Sequence, residues 1–157
     1  MEKIMERLLG DPGFPEGIAW RRRTFEAGEV VVREGEPGGT LYYVESGRLR
    51  VTARVELEDR CRLRPGLQDL GPGETFGELS LFGDGKRSAT VTALEPVRLI
   101  EIDGPALERH LEAHPELGYA FLRALLRSLA TRLARTDHQM EHLFAWGLRA
   151  HGLERHL

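Results

Sequence analysis

The sequence predicts an α+β, mainly β, protein: an antiparallel sandwich, barrel or jelly roll between a short N-terminal helix and a C-terminal helical segment with one long helix. From Thr24 to about Ile102, short β-branched and aromatic runs alternate with glycine-rich turns. On either side, apolar residues recur at helical spacing. The 157 residues have the size of one domain. We expect residues 1–23 to form the N-terminal helix and lead-in, 24–102 the β region and 103–157 the C-terminal helices.

The composition is that of a soluble globular protein, with 41% hydrophobic and 30% charged residues. The net charge of −3 gives no general attraction to nucleic acid or to an anionic membrane. Because no apolar run is long enough for a signal peptide or a membrane span, we expect a cytoplasmic location and no membrane partner. Cys61 is the single cysteine and is interpreted as an inert thiol. Residues 21–23 are three arginines, interpreted as a solvated strand start rather than a basic patch.

Helix boundaries can be predicted at three points. Residues 2–9 have helical apolar spacing and precede the helix-breaking sequence GDPG. Asp103 can cap a helix that has Pro105 in its first turn and ends near Ala113. A much longer helix is expected to begin near Pro115 or Glu116.

The long helix has a heptad pattern of residues at alternating spacings of four and three, which we call the seam. The seam consists of Leu122, Leu126, Leu129, Leu133, Thr136, Met140 and Leu143. A second apolar line, with Phe121 and Leu125, lies beside it. Two adjacent apolar lines favour packing of one face on the β region and pairing of the seam in a homodimer. The alternative is that the seam packs only on its own domain.

Residues 76–91, FGELSLFGDGKRSATV, combine features that folding alone rarely requires. A glycine before Glu78 predicts a single helical turn with free N–H groups, which attract an anion. Arg87 has a planar guanidinium suited to phosphate, and two small residues follow it. A carboxylate beside a phosphate site needs a hydroxyl donor, such as a ribose 2′-OH. The segment therefore indicates a nucleotide.

The sequence excludes two other interpretations, a P-loop and a cupin-type enzyme. A P-loop requires glycine where Ser80 stands, and Ser or Thr where Arg87 follows Lys86. A cupin-type enzyme requires clustered metal ligands on strands, whereas no histidine occurs before His110. His138 and His142 are spaced i, i+4, but the sequence shows no third ligand. We expect no enzyme activity, no catalytic cofactor and no metal.

These residues resemble the cyclic nucleotide-binding domains from about Thr24 to Asp137. Residues 76–91 are similar to the phosphate-binding cassette of that family, Phe-Gly-Glu-Leu, a turn, then Arg-Ser/Ala/Thr-Ala. The glycine turns upstream fall where the family's β-roll turns lie. The Glu78-to-Arg87 spacing resembles the regulatory subunits of cyclic AMP-dependent kinase, and TRLARTD resembles the dimer helix of the bacterial catabolite activators. The resemblance implies a β-roll of the jelly-roll type.

The resemblance also implies roles for individual residues. Arg87 would hold the cyclic phosphate, and Glu78 would accept a hydrogen bond from the ribose hydroxyl. The remaining implied ligand contacts comprise backbone groups, pocket wall and base-contacting side chains. They are the backbone of Gly77 and Leu79, the N–H groups of Ser88 and Ala89 with the Ser88 hydroxyl, the pocket wall at Leu70 and Phe76, and Thr136 with Asp137 on the long helix.

The base and the output of the domain are less fully specified. Asp137 stands where a serine would match the activators more closely, and a carboxylate suits the donors of guanine as well as adenine. We expect cyclic AMP, with cyclic GMP as the alternative. The residues after Leu143 are too few for a helix-turn-helix, so we expect no DNA binding through this chain and signalling to a downstream protein in trans. The alternative function is a non-binding relative that acts as a dimerisation or docking module.

Overall fold

The computed structural model describes the backbone of residues 1–53, 55–56, 62–63 and 66–150 and the side chains of residues 1–53 and 68–136. Cys61 lies outside the described residues. The chain forms two compact units, residues 1–121 and residues 122–157, and each is described by itself. No described helix is both long enough and apolar enough to cross a membrane.

Four helices and ten strands make up the described chain. The helices are α1 (Glu2–Leu9), α2 (Glu78–Phe82), α3 (Gly104–Ala113) and α4 (Pro115–Ala150). The strands are β1 (Trp20–Phe25), β2 (Val30–Val32), β3 (Thr40–Ser46), β4 (Leu49–Thr52), β5 (Val55–Glu56), β6 (Arg62–Leu63), β7 (Gly66–Leu70), β8 (Thr75–Phe76), β9 (Thr90–Ala93) and β10 (Val97–Asp103).

The strands form two four-stranded antiparallel sheets, in the orders β1-β10-β3-β8 and β2-β9-β4-β7, and a two-stranded ribbon of β5 and β6. The predicted antiparallel β-roll of the jelly-roll type is therefore confirmed. The first strand begins at Trp20, four residues before the predicted start at Thr24, because Trp20 already pairs with Ile102 of β10. The three arginines lie within β1 with exposed side chains, as predicted for a solvated strand.

The hydrophobic core lies between the two main sheets and takes side chains from seven strands. Alternate residues of each strand point to the same face, so both sheets contribute apolar side chains to one interior. The buried core cluster consists of Val32, Tyr42, Val44, Leu49, Leu70, Phe76, Val91, Ala93, Val97 and Leu99.

Helix α1 forms as predicted and ends at Gly10, whose N–H bonds back to the carbonyl of Glu6. Met5 and Leu8 of this helix are buried. Burial raises the pKa of the Tyr43 hydroxyl above its ordinary value, and the negative charges of Glu2, Glu6 and Glu45 act in the same direction. Two of these acids belong to α1, so the helix lies close to the outward face of β3.

The C-terminal helices begin where the sequence predicts. Oδ1 of Asp103 accepts a hydrogen bond of 2.8 Å from the N–H of Ala106, and Pro105 lies in the first turn of α3. Helix α3 ends at Ala113 with His114 as its C-cap, and Pro115 begins α4 because proline suits the first turn of a helix.

Two apolar lines of α4 differ in burial. Phe121 and Leu125 are buried, whereas Leu122, Leu126 and Leu133 of the seam are more than half exposed on this chain. The side chains of Met140 and Leu143, at the far end of the seam, lie outside the described residues. The exposed part of the seam is an apolar surface of this chain.

Candidate functional site

Gly77 precedes α2 with a φ of +92°, a left-handed conformation that side chains other than glycine's rarely adopt. A Cβ at this position would lie 2.7 Å from Nη1 of Arg87 and 2.7 Å from the carbonyl oxygen of Thr40. From the sequence, the backbone of this glycine is expected to contact the ligand. The structure adds an internal reason, because a side chain here would displace Arg87.

Arg87 is only 7% exposed, and uncharged oxygens hold its guanidinium. Nη1 donates to the carbonyl of Thr40 (2.9 Å) and to Oγ of Ser80 (2.8 Å), while Nη2 donates to Oγ1 of Thr40 (2.6 Å). The guanidinium carbon also lies 5.6 Å from the ring centroid of Tyr42. Neutral acceptors orient the side chain without cancelling its positive charge, so these contacts preserve its attraction for an anion.

Main-chain hydrogen bonds fasten the segment around Arg87 to the loop between β2 and β3. The N–H of Gly35 donates to the carbonyl of Arg87 (2.8 Å), and the N–H of Arg87 donates to the carbonyl of Glu36 (2.9 Å). A third bond joins the N–H of Gly38 to the carbonyl of Gly85 (2.8 Å). The two loops therefore form one unit, with the arginine at its centre.

Gly38 lies directly against the guanidinium. A Cβ added to this residue would be 2.6 Å from Nε of Arg87 and 2.6 Å from Oγ of Ser80. The sequence predicts only a turn at this glycine. Because Gly38 has no side chain, the loop between β2 and β3 can lie close to the arginine.

Glu78 opens α2 and is 4% exposed. Taken alone, a glutamate and an arginine on one short segment could form a surface ion pair of little consequence. That alternative is wrong, because both residues are buried in the described structure. Since burial of a charge is costly unless other groups compensate it, two buried ionisable residues on one short segment indicate a built site.

The other cassette residues lie around this centre in different environments. Ser88 is exposed, and Leu79 is 54% exposed. Among the loop hydrogen bonds of the described residues, neither Ser88 nor Ala89 donates its N–H. Leu70 and Phe76 belong to the buried core, where the Phe76 ring stacks on Tyr42 at a centroid distance of 4.8 Å. The roles of these residues in ligand binding remain predictions.

Thr136 belongs to the second unit of the chain. Its side chain is exposed, and its hydroxyl donates a hydrogen bond of 3.1 Å to the carbonyl of Arg132 one turn earlier. The side chain of Asp137 lies outside the described residues. The structure thus brings Gly77, Glu78 and Arg87 together, whereas contact of either base-reading candidate with a ligand stays a prediction.

The sequence patterns do not identify the residues that orient the arginine, namely Gly38, Thr40 and Ser80. Of these, only Ser80 enters the sequence argument, where it excludes a P-loop. The available signal was the Gly-Gly-Thr sequence that opens β3. No spacing rule connects that sequence to residue 87, because the contact depends on how two distant loops meet.

A buried arginine beside a glycine-capped helical turn, with small residues after it, is an arrangement suited to an anionic ligand. The chain belongs to the cyclic nucleotide-binding domain family, whose sequence pattern matches residues 22–114. This match includes all of the segment 76–91 and both loops that surround Arg87.

Individual relatives agree with the family assignment. The CRP-like cAMP-activated global transcriptional regulator of Mycobacterium tuberculosis is 37% identical over 119 residues, covering 76% of this chain and 50% of that protein. This chain thus spans half the length of that regulator.

Solved structures show the same fold. The c-di-GMP responsive global regulator CLP of Xanthomonas campestris superposes with a TM-score of 0.74 at 28% identity, covering 91% of this chain and 64% of that one. The regulatory domain of Toxoplasma gondii PKA, crystallised with cAMP, superposes with a TM-score of 0.53 at 28% identity, covering 69% and 37% of the two chains.

Proposed function

We propose that this protein is a cyclic nucleotide sensor that binds cyclic AMP at residues 76–91. The observation behind the proposal is Arg87, which is buried and held by neutral oxygens beside the N-terminal end of α2. Because its charge-assisted hydrogen bonds favour an anionic partner, the preferred ligand group at this point is a phosphate.

Arg87 and the following N–H groups bind the cyclic phosphate in this proposal. Ser88 and Ala89 each offer an N–H group next to the guanidinium, and the small side chains leave room for phosphate oxygens. The ribose of the ligand is contacted by Glu78 and by the backbone of Gly77 and Leu79. A carboxylate only accepts hydrogen bonds, and the ribose 2′-OH is a donor that Glu78 could bind.

The base is proposed to be adenine, read by Thr136 and Asp137 of α4. The similarity to a cAMP-activated regulator and to a cAMP-bound kinase domain supports adenine. Guanine is the alternative, because a carboxylate at residue 137 could accept from two of its donors. One solved relative is described as responsive to c-di-GMP, so a cyclic dinucleotide belongs in the same test.

Signalling is proposed to follow from a population shift in a homodimer. Ligand binding orders the cassette, the exposed apolar side chains of α2 repack, and α4 changes position. Leu122, Leu126 and Leu133 offer the exposed apolar line through which two copies of α4 would pair. No bond is made or broken, and the change passes to a downstream protein in trans.

Titration calorimetry tests the sensor with cyclic AMP, cyclic GMP and c-di-GMP in separate arms. Removal of a charge-assisted contact costs about 1.5 to 3 kcal/mol, so Arg87→Ala should weaken binding by roughly ten- to more than a hundredfold. Arg21→Ala is the matched control, because that arginine contacts Glu101 and not the cassette. If none of the three ligands binds at about 1 mM, the alternative of a non-binding docking module replaces the sensor.

The base-reading and dimer proposals have separate tests. Asp137→Ala should change the ratio of affinities for cyclic AMP and cyclic GMP, and an unchanged ratio removes that residue from the site. Leu133→Glu should give monomers by sedimentation, because it places a charge in the seam. Leu94→Glu is the control, since Leu94 is also an exposed apolar residue but lies outside α4.

A further inference from the structure

Three metal-binding side chains meet far from the cassette. Asp11 follows α1, whereas His110 and His114 lie on and just after the last turn of α3. Each residue offers one ligand atom, and these atoms lie within 4.8 Å of one another. The sequence predicts no metal site, and no spacing along the chain connects an aspartate near the N-terminus with a histidine pair in the C-terminal segment.

His110 provides the strongest sign that the cluster is a site. The residue is 7% exposed, and its Nε2 atom makes no hydrogen bond within the described part of the chain. That nitrogen lies 3.4 Å from Oδ2 of Asp11. Two ligand atoms bound tetrahedrally to zinc, each at about 2.0 to 2.1 Å, lie about 3.4 Å apart. The two atoms therefore have the spacing of one edge of a zinc coordination tetrahedron.

The loop that presents Asp11 is fixed by hydrogen bonds and packing. Oδ1 of Asp11 accepts from the N–H of Gly13 (2.8 Å), which leaves Oδ2 as the oxygen near the histidine. The carbonyl of Asp11 accepts from the N–H of Phe14 (2.9 Å), and the Phe14 ring lies 5.0 Å from the His110 ring. The indole of Trp20 donates to the carbonyl of Phe14 (2.9 Å). These contacts hold the carboxylate in place before any ion arrives.

The third side chain has a defined tautomer. Nδ1 of His114 lies 2.9 Å from the carbonyl oxygen of His110. Because a carbonyl oxygen only accepts, this contact requires the proton on Nδ1, and in the neutral ring Nε2 then carries the lone pair. A hydrogen bond from the second ring nitrogen to a carbonyl is the arrangement that usually orients a metal-binding histidine. The two imidazole rings are 4.3 Å apart between centroids.

We propose that Asp11, His110 and His114 bind a zinc ion. Two neutral imidazoles and one carboxylate favour zinc and similar late first-row metals over magnesium or calcium, which prefer oxygen ligands. Three protein ligands leave a fourth position for water. The site connects the loop after α1 to the end of α3, one residue before α4 begins. Metal binding therefore restrains the point from which the long helix starts.

The test uses an untagged chain from which metal has been removed by chelation. Histidines 138, 142, 151 and 156 are first replaced by alanine, so that only His110 and His114 remain. Calorimetry with zinc should then give one site per chain. Loss of a residue that only supports a metal ligand lowers metal affinity by about ten- to a hundredfold. Asp11 and His114 are proposed as direct ligands, so Asp11→Asn and His114→Ala should each weaken zinc binding by at least about tenfold. Both replaced side chains are at the surface or only partly buried, and the fold should persist.

Two further readouts distinguish a metal site from a structural contact between Asp11 and His110. Zinc should raise the thermal unfolding midpoint of the parent by mass action and should have a smaller effect on Asp11→Asn. Cobalt in place of zinc should give the visible absorption of a four-coordinate ion. Equal zinc affinity in the parent and both variants, or a parent dissociation constant weaker than about 1 mM, would overturn the proposal. Cyclic nucleotide titration of the same variants should be unaffected, so the two proposals can fail separately.

Discussion

Two regions of the protein use arginine in opposite ways. On β1, Arg21 and Arg23 have exposed side chains, and both form salt bridges with Glu101 of β10. The side chain of Glu101 is nearly buried. In the cassette, Arg87 is itself buried, and its described hydrogen bonds go to uncharged oxygens. Tyr42 stands between the two regions, with its ring near Arg87 and its hydroxyl oxygen 3.5 Å from Oε2 of Glu101.

The two regions differ in whether the positive charge of the arginine is neutralised by a carboxylate. The carboxylate of Glu101 offsets the positive charges of Arg21 and Arg23. These ion pairs join β1 to β10 and leave little positive charge to attract a ligand. Hydrogen bonds from Arg87 to neutral oxygens fix the position of its side chain. They do not neutralise its positive charge, which can still attract an anionic ligand. An arginine held by carboxylates therefore indicates a structural contact, whereas an arginine held by hydroxyl and carbonyl oxygens indicates a binding site.

Gly77→Ala should have the largest effect on the cassette. The left-handed conformation costs an alanine about 1 to 2 kcal/mol, and crowding against Arg87 and Thr40 adds roughly 1 to 3 kcal/mol. Urea unfolding should show the loss of stability, and calorimetry should show much weaker nucleotide binding. Gly73→Ala is the matched control, because Gly73 has a φ of +86° but a Cβ there meets nothing within 4 Å. Equal effects of the two substitutions would show that the contact with Arg87 does not matter.

Thr40→Val should have the next largest effect, and it acts on binding. The substitution removes the hydroxyl that accepts from Nη2 of Arg87 while keeping the backbone carbonyl that accepts from Nη1. Loss of one hydrogen bond of about 0.5 to 1.5 kcal/mol should weaken nucleotide binding by roughly two- to tenfold. Thr92→Val is the control, since Thr92 is a half-buried strand threonine outside the cassette. Unchanged affinity would mean that the hydroxyl does not orient the arginine.

Glu101→Gln should separate the two regions. The neutral side chain keeps its size but loses the charge that pairs with Arg21 and Arg23. Because both arginines are exposed and screened by solvent, we expect a loss of about 1 kcal/mol in the free energy of unfolding. Nucleotide affinity should stay within about twofold of the parent. A large loss of affinity would show that Tyr42 couples the regions, and the contrast between them would then be incorrect.

Asp69→Asn should have the smallest effect and a defined dependence on pH. Hydrogen bonding to Arg50 lowers the pKa of the Asp69 carboxyl, with distances of 2.8 and 3.0 Å between the paired atoms. A lowered pKa stabilises the folded state above the unfolded pKa of about 3.9, and this contribution is lost as the pH falls through the folded value. Urea midpoints of parent and variant should therefore differ slightly at neutral pH and converge as the pH falls below the folded pKa of Asp69. A difference that grows in acid would contradict this assignment.

Much of the fold follows from local sequence signals. The end of α1 at GDPG, the cap at Asp103 and the start of α4 at Pro115 each depend on residues within one helical turn. The antiparallel sheets follow from short strands separated by glycine turns. The predicted start of β1 at Thr24 is four residues too late, because the strand is extended by the pairing of Trp20 with Ile102, which are far apart in the sequence.

In the candidate site, too, some residues can be recognised from local sequence and others only from contacts between distant segments. Glu78 and Arg87 could be selected from the sequence because they share one short segment with a glycine and small residues. Gly38 and Thr40 could not, because their relation to Arg87 arises only when the loop between β2 and β3 closes on the cassette. The contact of Asp11 with His110 is also between distant residues, so spacing along the chain could not reveal it.

The main-chain hydrogen bonds between residues 35–38 and 85–87 also bear on how the protein can evolve. Peptide groups make these bonds, so side chains at Glu36, Asp84 and Lys86 are not needed to join the loops. All three residues are exposed. Substitution at these positions can change the charge beside Arg87 while the main-chain bonds between the two loops are kept. Surface charge near the arginine can therefore vary without loss of the loop contact that places it.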